Sequence, residues 1–196
     1  MFVQIMEGRI RDADLLKRQT DRWHDDLRPG AVGYLGSTSG VTADGTGILV
    51  ARFEDEAAAR ENSARPEQSV WWSETTPAFE DVVLFHDSSE VDVMFGGGSD
   101  SAGFVQVIQG RAVDPEAMRG AAREMEADLR SRRPDVLGGI VAWHGDREFT
   151  QVVYFTSEAD ARAAETPFEE DPQTERWTAL FDGPPAYLDL REPQFD

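Results

Sequence analysis

Two glutamines at matching positions of an internal repeat are the polar side chains best placed to do chemistry. Gln4 lies in FVQIMEGR (2–9), and Gln106 lies in FVQVIQGR (104–111). Both stretches alternate and are rich in Val, Ile and Phe, which predicts β-strands that place each glutamine on the same face as the neighbouring phenylalanine. An amide on an inward face can orient a carbonyl or phenol oxygen of a bound molecule. The alternative is that the two amides bond only each other or water.

Aromatic side chains form the second group of candidates. Trp71 and Trp72 are expected in the second helical region of the first copy, and Trp143 on a hairpin of the second copy. Each lines either a cavity for an aromatic ligand or the plain core. Arg52 pairs with Tyr154 in the repeat, and this polar–aromatic difference indicates that the two copies have diverged. The candidate substrate-binding residues are therefore Gln4, Gln106, Trp71, Trp72, Arg52, Trp143 and Tyr154.

Histidines are the candidate proton acceptors, because their charge changes near neutral pH. The chain has three of them. His86 lies at the end of a predicted strand and His144 follows Trp143 at a turn, so either is a candidate catalytic base, with a surface or hairpin role as the alternative. His24 lies on a charged helical stretch and is expected to be exposed. Their spacing matches no metal site and cysteine is absent, so neither a metal centre nor a disulfide is predicted.

The whole chain is a tandem repeat. Residues 2–94 pair with residues 104–196 without a gap, and 23 of the 93 pairs are identical. This is about four times the background of roughly 6–7% that ordinary compositions give. The predicted boundaries are repeat 1 over 1–95, a Gly/Ser-rich linker over 96–102 and repeat 2 over 103–196.

Each copy follows the order β-α-β-β-α-β, which is the ferredoxin-like split unit. Asp12 and Asp114 stand where the first helix of each copy begins. The helices of such a unit cover one face of its sheet and leave an apolar face bare, so the simplest cover is the second copy. The predicted fold class is α+β, with two ferredoxin-like (βαββαβ) repeats packed sheet to sheet as a pseudo-dimeric α/β barrel. In this arrangement Gln4 and Gln106 face the space between the sheets.

The charge and hydropathy of the chain restrict its partners. There are 38 acidic and 19 basic side chains, a formal charge of −19. Such a surface repels phosphate backbones, so no nucleic-acid partner is expected. Residues 1–14 lack the pattern of a signal peptide, and no apolar run approaches the ~20 residues of a membrane helix, so we expect a cytoplasmic protein with no membrane contact. The repeat predicts an intramolecular pseudo-dimer and leaves further homodimerisation open.

The opening strands, together with the strand-to-helix passages ARFEDEAAAR and VYFTSEADAR, resemble the dimeric α/β barrel superfamily. Within it they are similar to antibiotic-biosynthesis-monooxygenase-like domains, over essentially the whole chain taken as a fused pair. That group includes cofactor-independent oxygenases of polyaromatic phenols, haem-degrading enzymes and isomerases. The resemblance implies a small-molecule-binding protein, and if it is an enzyme, a monooxygenase or isomerase that acts on an apolar or aromatic compound without a cofactor.

Two alternatives accompany this resemblance. The haem-degrading branch carries an iron-binding histidine on the second helix, but residues 54–79 and 156–181 contain no histidine, so haem degradation is not expected. A fold of this kind also serves proteins without activity. The second alternative is therefore a non-catalytic binding or scaffold protein with a filled barrel interior.

Overall fold

The computed structural model describes residues 1–169 and 172–196, which form two compact units. The first unit comprises residues 1–89 and 194–196, and the second comprises residues 90–193. Each unit holds a five-stranded antiparallel sheet with helices. The predicted fold class, α+β with two ferredoxin-like repeats, is confirmed.

The first unit follows the predicted βαββαβ order, with its second helix divided at Arg65. A π-helical turn over Trp23–Leu27 extends its first helix. The elements are β1 (Phe2–Arg9), α1 (Ala13–Arg22), β2 (Tyr34–Val41), β3 (Thr46–Phe53), α2 (Glu56–Ala64), α3 (Pro66–Thr75), β4 (Leu84–Ser88) and, from the end of the chain, β10 (Gln194–Phe195). The sheet order is β10-β2-β3-β1-β4.

The second unit repeats this order and begins with one additional strand. Its first helix is regular over 18 residues, unlike α1 of the first unit. The elements are β5 (Glu90–Met94), β6 (Phe104–Arg111), α4 (Pro115–Arg132), β7 (Val136–His144), β8 (Glu148–Phe155), α5 (Glu158–Glu169), α6 (Pro172–Thr178) and β9 (Ala186–Leu190). The sheet order is β5-β7-β8-β6-β9. No helix among the described residues is both long and apolar enough to cross a membrane.

Aspartate side chains begin the first helix of each unit, as the sequence predicts. The carboxylate of Asp12 accepts a hydrogen bond from the backbone N–H of Leu15 at 2.8 Å. The carboxylate of Asp114 accepts from Glu116 at 2.9 Å and from Ala117 at 3.2 Å. These bonds satisfy N–H groups that have no partner inside the helix.

Strands β5 and β10 are the elements that the sequence pattern does not reveal. They occupy equivalent positions in the repeat, and each adds an edge strand to a sheet: β5 pairs with β7, and β10 pairs with β2. Contacts therefore group residues 90–94 with the second unit and residues 194–196 with the first. Segments of five and two residues carry too little periodicity to be recognised, and their pairing partners determine that they are strands.

The repeated Leu-Gly dipeptide allows a close backbone approach in both units. A Cβ atom on Gly138 would lie 1.8 Å from the carbonyl oxygen of Gly97, and one on Gly36 would lie 2.5 Å from the backbone oxygen of Asp196. Both glycines stand where the strand register shifts. Glycine is therefore required at these points because the segment that follows the edge strand, β5 or β10, passes directly over the neighbouring strand.

The face of the sheet that carries the two glutamines is the helix-facing one, so the predicted orientation towards a space between the sheets is wrong. Phe2 packs in one cluster with Phe53 and Ala59 of α2, and Phe104 packs with Phe155 and Ala161 of α5. The alanines leave room for the rings. Strand alternation then places Gln4 and Gln106 on the same helix-facing side. The residues of the opposite face are fully buried, namely Val3, Ile5, Val105 and Val107.

Candidate functional site

The two glutamines make the same hydrogen bond in both repeats. The Gln4 amide donates to Asp87 at 3.1 Å, and the Gln106 amide donates to Asp189 at 3.0 Å. Asp189 also accepts from Arg162 of α5. Each amide is therefore held by a carboxylate of the adjacent edge strand, β4 or β9. A role in orienting a ligand stays a prediction.

Three of the predicted aromatic residues belong to packed clusters. Trp71 is buried, and its indole N–H donates to the backbone carbonyl of Gln19 at 2.7 Å. Trp72 packs against Phe85 with ring centroids 5.4 Å apart. Tyr154 is buried on the face opposite the helices. These contacts match the alternative that these three residues belong to the core and line no cavity.

Arg52 is the repeat counterpart of Tyr154, and each is opposite a valine of the first strand in its unit, Val3 or Val105. The Arg52 Nε atom is buried and has no hydrogen-bond partner among the described residues. A buried guanidinium nitrogen without a partner costs free energy. A role of Arg52 in binding a substrate stays a prediction.

The two histidines proposed as bases lie on the face opposite the helices. His86 is paired in register with Ile5, whereas its neighbour Asp87 bonds Gln4 on the helix side. A ring nitrogen of His144, Nε2, lies 3.0 Å from the hydroxyl of Thr150. Their role as proton acceptors stays a prediction.

A cavity of about 140 Å³ lies within the second unit, between the sheet and its helices. Strands β5, β7 and β8 form one wall, and helices α4 and α6 form the other. The apolar lining consists of Val93, Met94, Met118, Ala122, Val141, Trp143, Phe149 and Trp177. The polar lining consists of Asp92, Arg119, Arg123, Glu126 and Gln151. An apolar cavity of about 150 Å³ accommodates benzene, so this space matches one aromatic ring.

Trp143 is the predicted site residue that lines this cavity, and it is held from two directions. Its indole N–H donates to the Asp92 carboxylate at 2.7 Å, and Arg119 Nε donates to the same oxygen at 3.0 Å. The Arg119 guanidinium lies over the indole, 4.7 Å from the ring centroid. This position combines a charge-assisted hydrogen bond with a cation–π contact. The indole is therefore a fixed wall of the cavity.

Arg119 is neutralised by the carboxylates around it. Besides Asp92, it donates to Glu90 at 2.9 Å and to Glu116 at 2.6 Å. Burial alone lowers the pKa of Arg119, but the hydrogen bonds that Arg119 donates to Glu90, Glu116 and Asp92 outweigh that effect and raise the pKa above its ordinary value. Arg119 therefore serves to position Trp143 and Asp92, and its charge is already balanced by carboxylates.

Gln151 is the polar group whose existing bond is weakest. Its amide N–H donates to the sulfur of Met94 at 3.6 Å. A thioether is a poor acceptor, so a ligand oxygen would replace it at little cost. Phe149 adds an aromatic wall 5.5 Å from Trp143, measured between ring centroids. The arrangement favours a flat apolar ligand that carries an oxygen atom.

Glu126 fixes the segment that follows β5. Its carboxylate accepts hydrogen bonds from the backbone N–H of Phe95 and from Arg130, each at 2.9 Å. Phe95 has a φ of 53°, an unfavourable conformation for a residue with a side chain. The Phe95 N–H is the main cause that lowers the pKa of Glu126 below its ordinary 4.5, assisted by Arg130.

We expect Glu126 to contribute to the pH dependence of folding. Because its pKa is lower in the folded state, the unfolded chain binds more protons below about pH 4.5, and stability falls as the pH falls through the folded pKa. In Glu126→Gln the free energy of unfolding should therefore fall less steeply between about pH 5 and pH 3. Urea denaturation at several pH values measures both slopes. Equal slopes in the two proteins would contradict this assignment.

The cavity lining differs from its counterpart in the first repeat. Trp143, Phe149, Gln151 and Trp177 correspond to Val41, Gly47, Leu49 and Thr75, and Asp92 corresponds to Gln194. These differences are the signal in the sequence that points to the cavity. Arg52 and Tyr154 are the pair for which the sequence pattern reveals such a difference. The other lining residues are not found from the sequence because β5 is not recognisable as a strand of the second sheet.

No family model matches the chain. No curated protein matches its sequence either. Solved structures do match, over its full length. A candidate monooxygenase from Lactobacillus acidophilus NCFM has 12% identity and a TM-score of 0.70, covering 100% of this chain and 98% of that one. A second candidate monooxygenase, from Fusobacterium nucleatum, has 9% identity and a TM-score of 0.72, covering 100% and 93%.

An anthrone oxidase-like protein is similar as well, with 11% identity and a TM-score of 0.65, covering 100% of this chain and 92% of that one. At such identities the likeness establishes the fold alone. The chain therefore has the fold of the antibiotic-biosynthesis-monooxygenase-like proteins. The resemblance expected from the sequence is confirmed at the level of fold.

Proposed function

We propose that the chain binds a compact aromatic compound in the cavity of the second unit. The observation that carries this proposal is the lining itself. Trp143, Phe149 and Trp177 surround a space of single-ring size, and Gln151 offers a weakly engaged amide beside it. Ligand sites combine such apolar walls with a few oriented polar groups.

We further infer that the bound compound is oxygenated by O2. The support is the fold, which is shared with proteins named as monooxygenases and as anthrone oxidase-like. In this reaction a phenol becomes a quinone. One oxygen atom converts a ring C–H into C=O, and the other leaves as water with two hydrogens of the substrate, one from that ring carbon and one from the hydroxyl group. The substrate itself is then the reductant. Isomerisation of the same class of compound is the alternative reaction that the resemblance implies.

A binding protein without turnover is the second candidate function, and one observation favours it. The two carboxylates in the lining are already engaged: Asp92 by Trp143 and Arg119, and Glu126 by Phe95 and Arg130. His86 and His144 lie on the other face of their strands. A general base must reach the proton that it removes, within about 3 Å or through one water.

Filling the cavity tests the binding proposal. Ala122 of α4 lines the cavity, and Ala122→Leu places three additional carbon atoms in it. We expect affinity for phenol or indole to fall by tenfold or more, that is, by about 1.4 kcal/mol or more. Thr20→Leu is the matched control, because Thr20 is the repeat counterpart of Ala122 in the first unit. Titrations followed by NMR at the five tryptophan indole N–H groups report binding.

The two functions are separated by a second measurement on the same samples. Ligand-dependent shifts at Trp143 and Trp177 that disappear in Ala122→Leu and persist in Thr20→Leu support the binding site. Oxygen uptake that is lost in the same variant supports the oxygenase. Binding of phenols without oxygen uptake supports the binding protein instead. Shifts confined to Trp23, Trp71 and Trp72 would contradict the proposed site.

A further inference from the structure

Arg123 differs from the other charged groups of the cavity lining because it pairs with no carboxylate of the described residues. Asp92 is paired with Arg119, Arg119 with three carboxylates, and Glu126 with Arg130. Arg123 donates from Nε to the backbone carbonyl of Arg119 at 3.1 Å. Within residues 1–169 and 172–196, its two terminal amino groups have no further hydrogen bond or ion pair.

This arginine stands beside an apolar space in a strongly acidic chain. The formal charge of the chain is −19, so carboxylates are abundant, yet none of the described ones pairs with Arg123. Arg123 lies one helical turn beyond Arg119 and one position after Ala122, and all three line the cavity. Its side chain is exposed, which places the free guanidinium donors at the cavity opening.

We propose that the ligand is a single-ring aromatic carboxylate, with its ring in the cavity and its carboxylate on Arg123. This inference rests on the proposed binding function and names the chemical class of the ligand. A guanidinium presents parallel N–H donors that match the two oxygens of a carboxylate. The cavity volume of about 140 Å³ matches the ring, so the carboxylate extends to the opening.

The neighbouring carboxylates do not cancel this attraction. Glu90 and Glu116 have side chains 73% and 75% exposed, so solvent and salt screen their repulsion. Asp92 and Glu126 are neutralised by the arginines that they bind. Arg123 therefore supplies the positive charge of the site that no carboxylate of the described residues pairs with.

A series of three ligands of equal shape tests the inference. Benzoate, benzamide and benzamidine present an anion, a neutral amide and a cation on the same ring. We expect benzoate to bind about three- to tenfold more tightly than benzamide, with benzamidine weakest, because an exposed ion pair contributes modestly. Higher salt should reduce this preference. Dissociation constants come from NMR titration of the Trp143 and Trp177 indole N–H signals.

Two variants identify the residue responsible. Arg123→Gln should bring benzoate and benzamide to within about twofold of each other while affinity for benzamide is retained. Arg18→Gln is the control, because Arg18 is an exposed arginine of α1 and its loss changes the net charge equally. It should leave the preference intact.

The inference and the proposed function fail in different ways. If benzamide binds as tightly as benzoate, or if Arg123→Gln keeps the preference for benzoate, the inference that Arg123 binds a ligand carboxylate is overturned. The proposed binding of an aromatic ring in the cavity is unaffected by that result. If none of the three ligands shifts the indole signals at millimolar concentration, and phenol and indole do not either, the proposed function fails and takes this inference with it.

Discussion

Trp143→Ala should lower the free energy of unfolding by about 3–5 kcal/mol, the usual range for truncating a buried tryptophan. The side chain is 8% exposed and packs in the cluster that contains Met118, Val141 and Phe149. Its removal also leaves the Asp92 carboxylate without its indole donor and exposes the face of Arg119. The cost therefore combines lost packing with a weakened charge-assisted bond.

Two variants separate these contributions. Trp143→Phe keeps an aromatic ring but removes the N–H, and should cost about 1–2 kcal/mol. Val41→Ala is the matched control, because Val41 is the repeat counterpart of Trp143 and is 47% exposed. It should cost less than about 0.5 kcal/mol. Urea denaturation followed by circular dichroism measures all three. A loss below about 1 kcal/mol in Trp143→Ala would contradict the packed arrangement.

Gly138→Ala should lower the free energy of unfolding by about 1–3 kcal/mol. The added methyl group would lie 1.8 Å from the carbonyl oxygen of Gly97, which is backbone and cannot swing aside like a side chain. The segment after β5 must therefore move away from β7, and this weakens the position of Met94 in the cavity wall. Affinity for an aromatic ligand should fall together with stability.

Gly120→Ala provides the contrasting control for this prediction. Gly120 lies inside α4, and an added Cβ meets no atom within 4 Å. Alanine is the better helix former, so this variant should gain up to about 1 kcal/mol. Both proteins are compared by urea denaturation and by the same NMR titration. Equal stability of the two variants would show that the backbone approach at Gly138 is not a constraint on the fold.

The element order was accessible from the sequence because it depends on local pattern and on comparison of the two copies. Strand alternation around Gln4 and Gln106, and aspartate caps at Asp12 and Asp114, are properties of a few neighbouring residues. The repeat shows each element twice, which separates the pattern from chance. These features were sufficient for the ferredoxin-like unit and for its duplication.

Only the tertiary structure decided which face of each strand packs against the helices. Alternation shows that Gln4 shares a face with Phe2, but both faces of β1 carry buried apolar side chains, Phe2 on one and Val3 and Ile5 on the other. Hydropathy therefore gives no preference between them. The helix-facing side was decided by the small side chains of α2, where Ala59 leaves space for the Phe2 ring. Size complementarity between distant segments is not visible in a local pattern.

The candidate site is the clearest case of what sequence alone did not decide. Trp143 was identified from its type and its place on a hairpin. Its partners were not, because Asp92 belongs to a five-residue strand and Arg119 to a helix 27 positions later, and a pairing of β5 with β7 brings them together. Local periodicity determined which elements form, whereas long-range strand pairing and packing decided which side chains share a cavity.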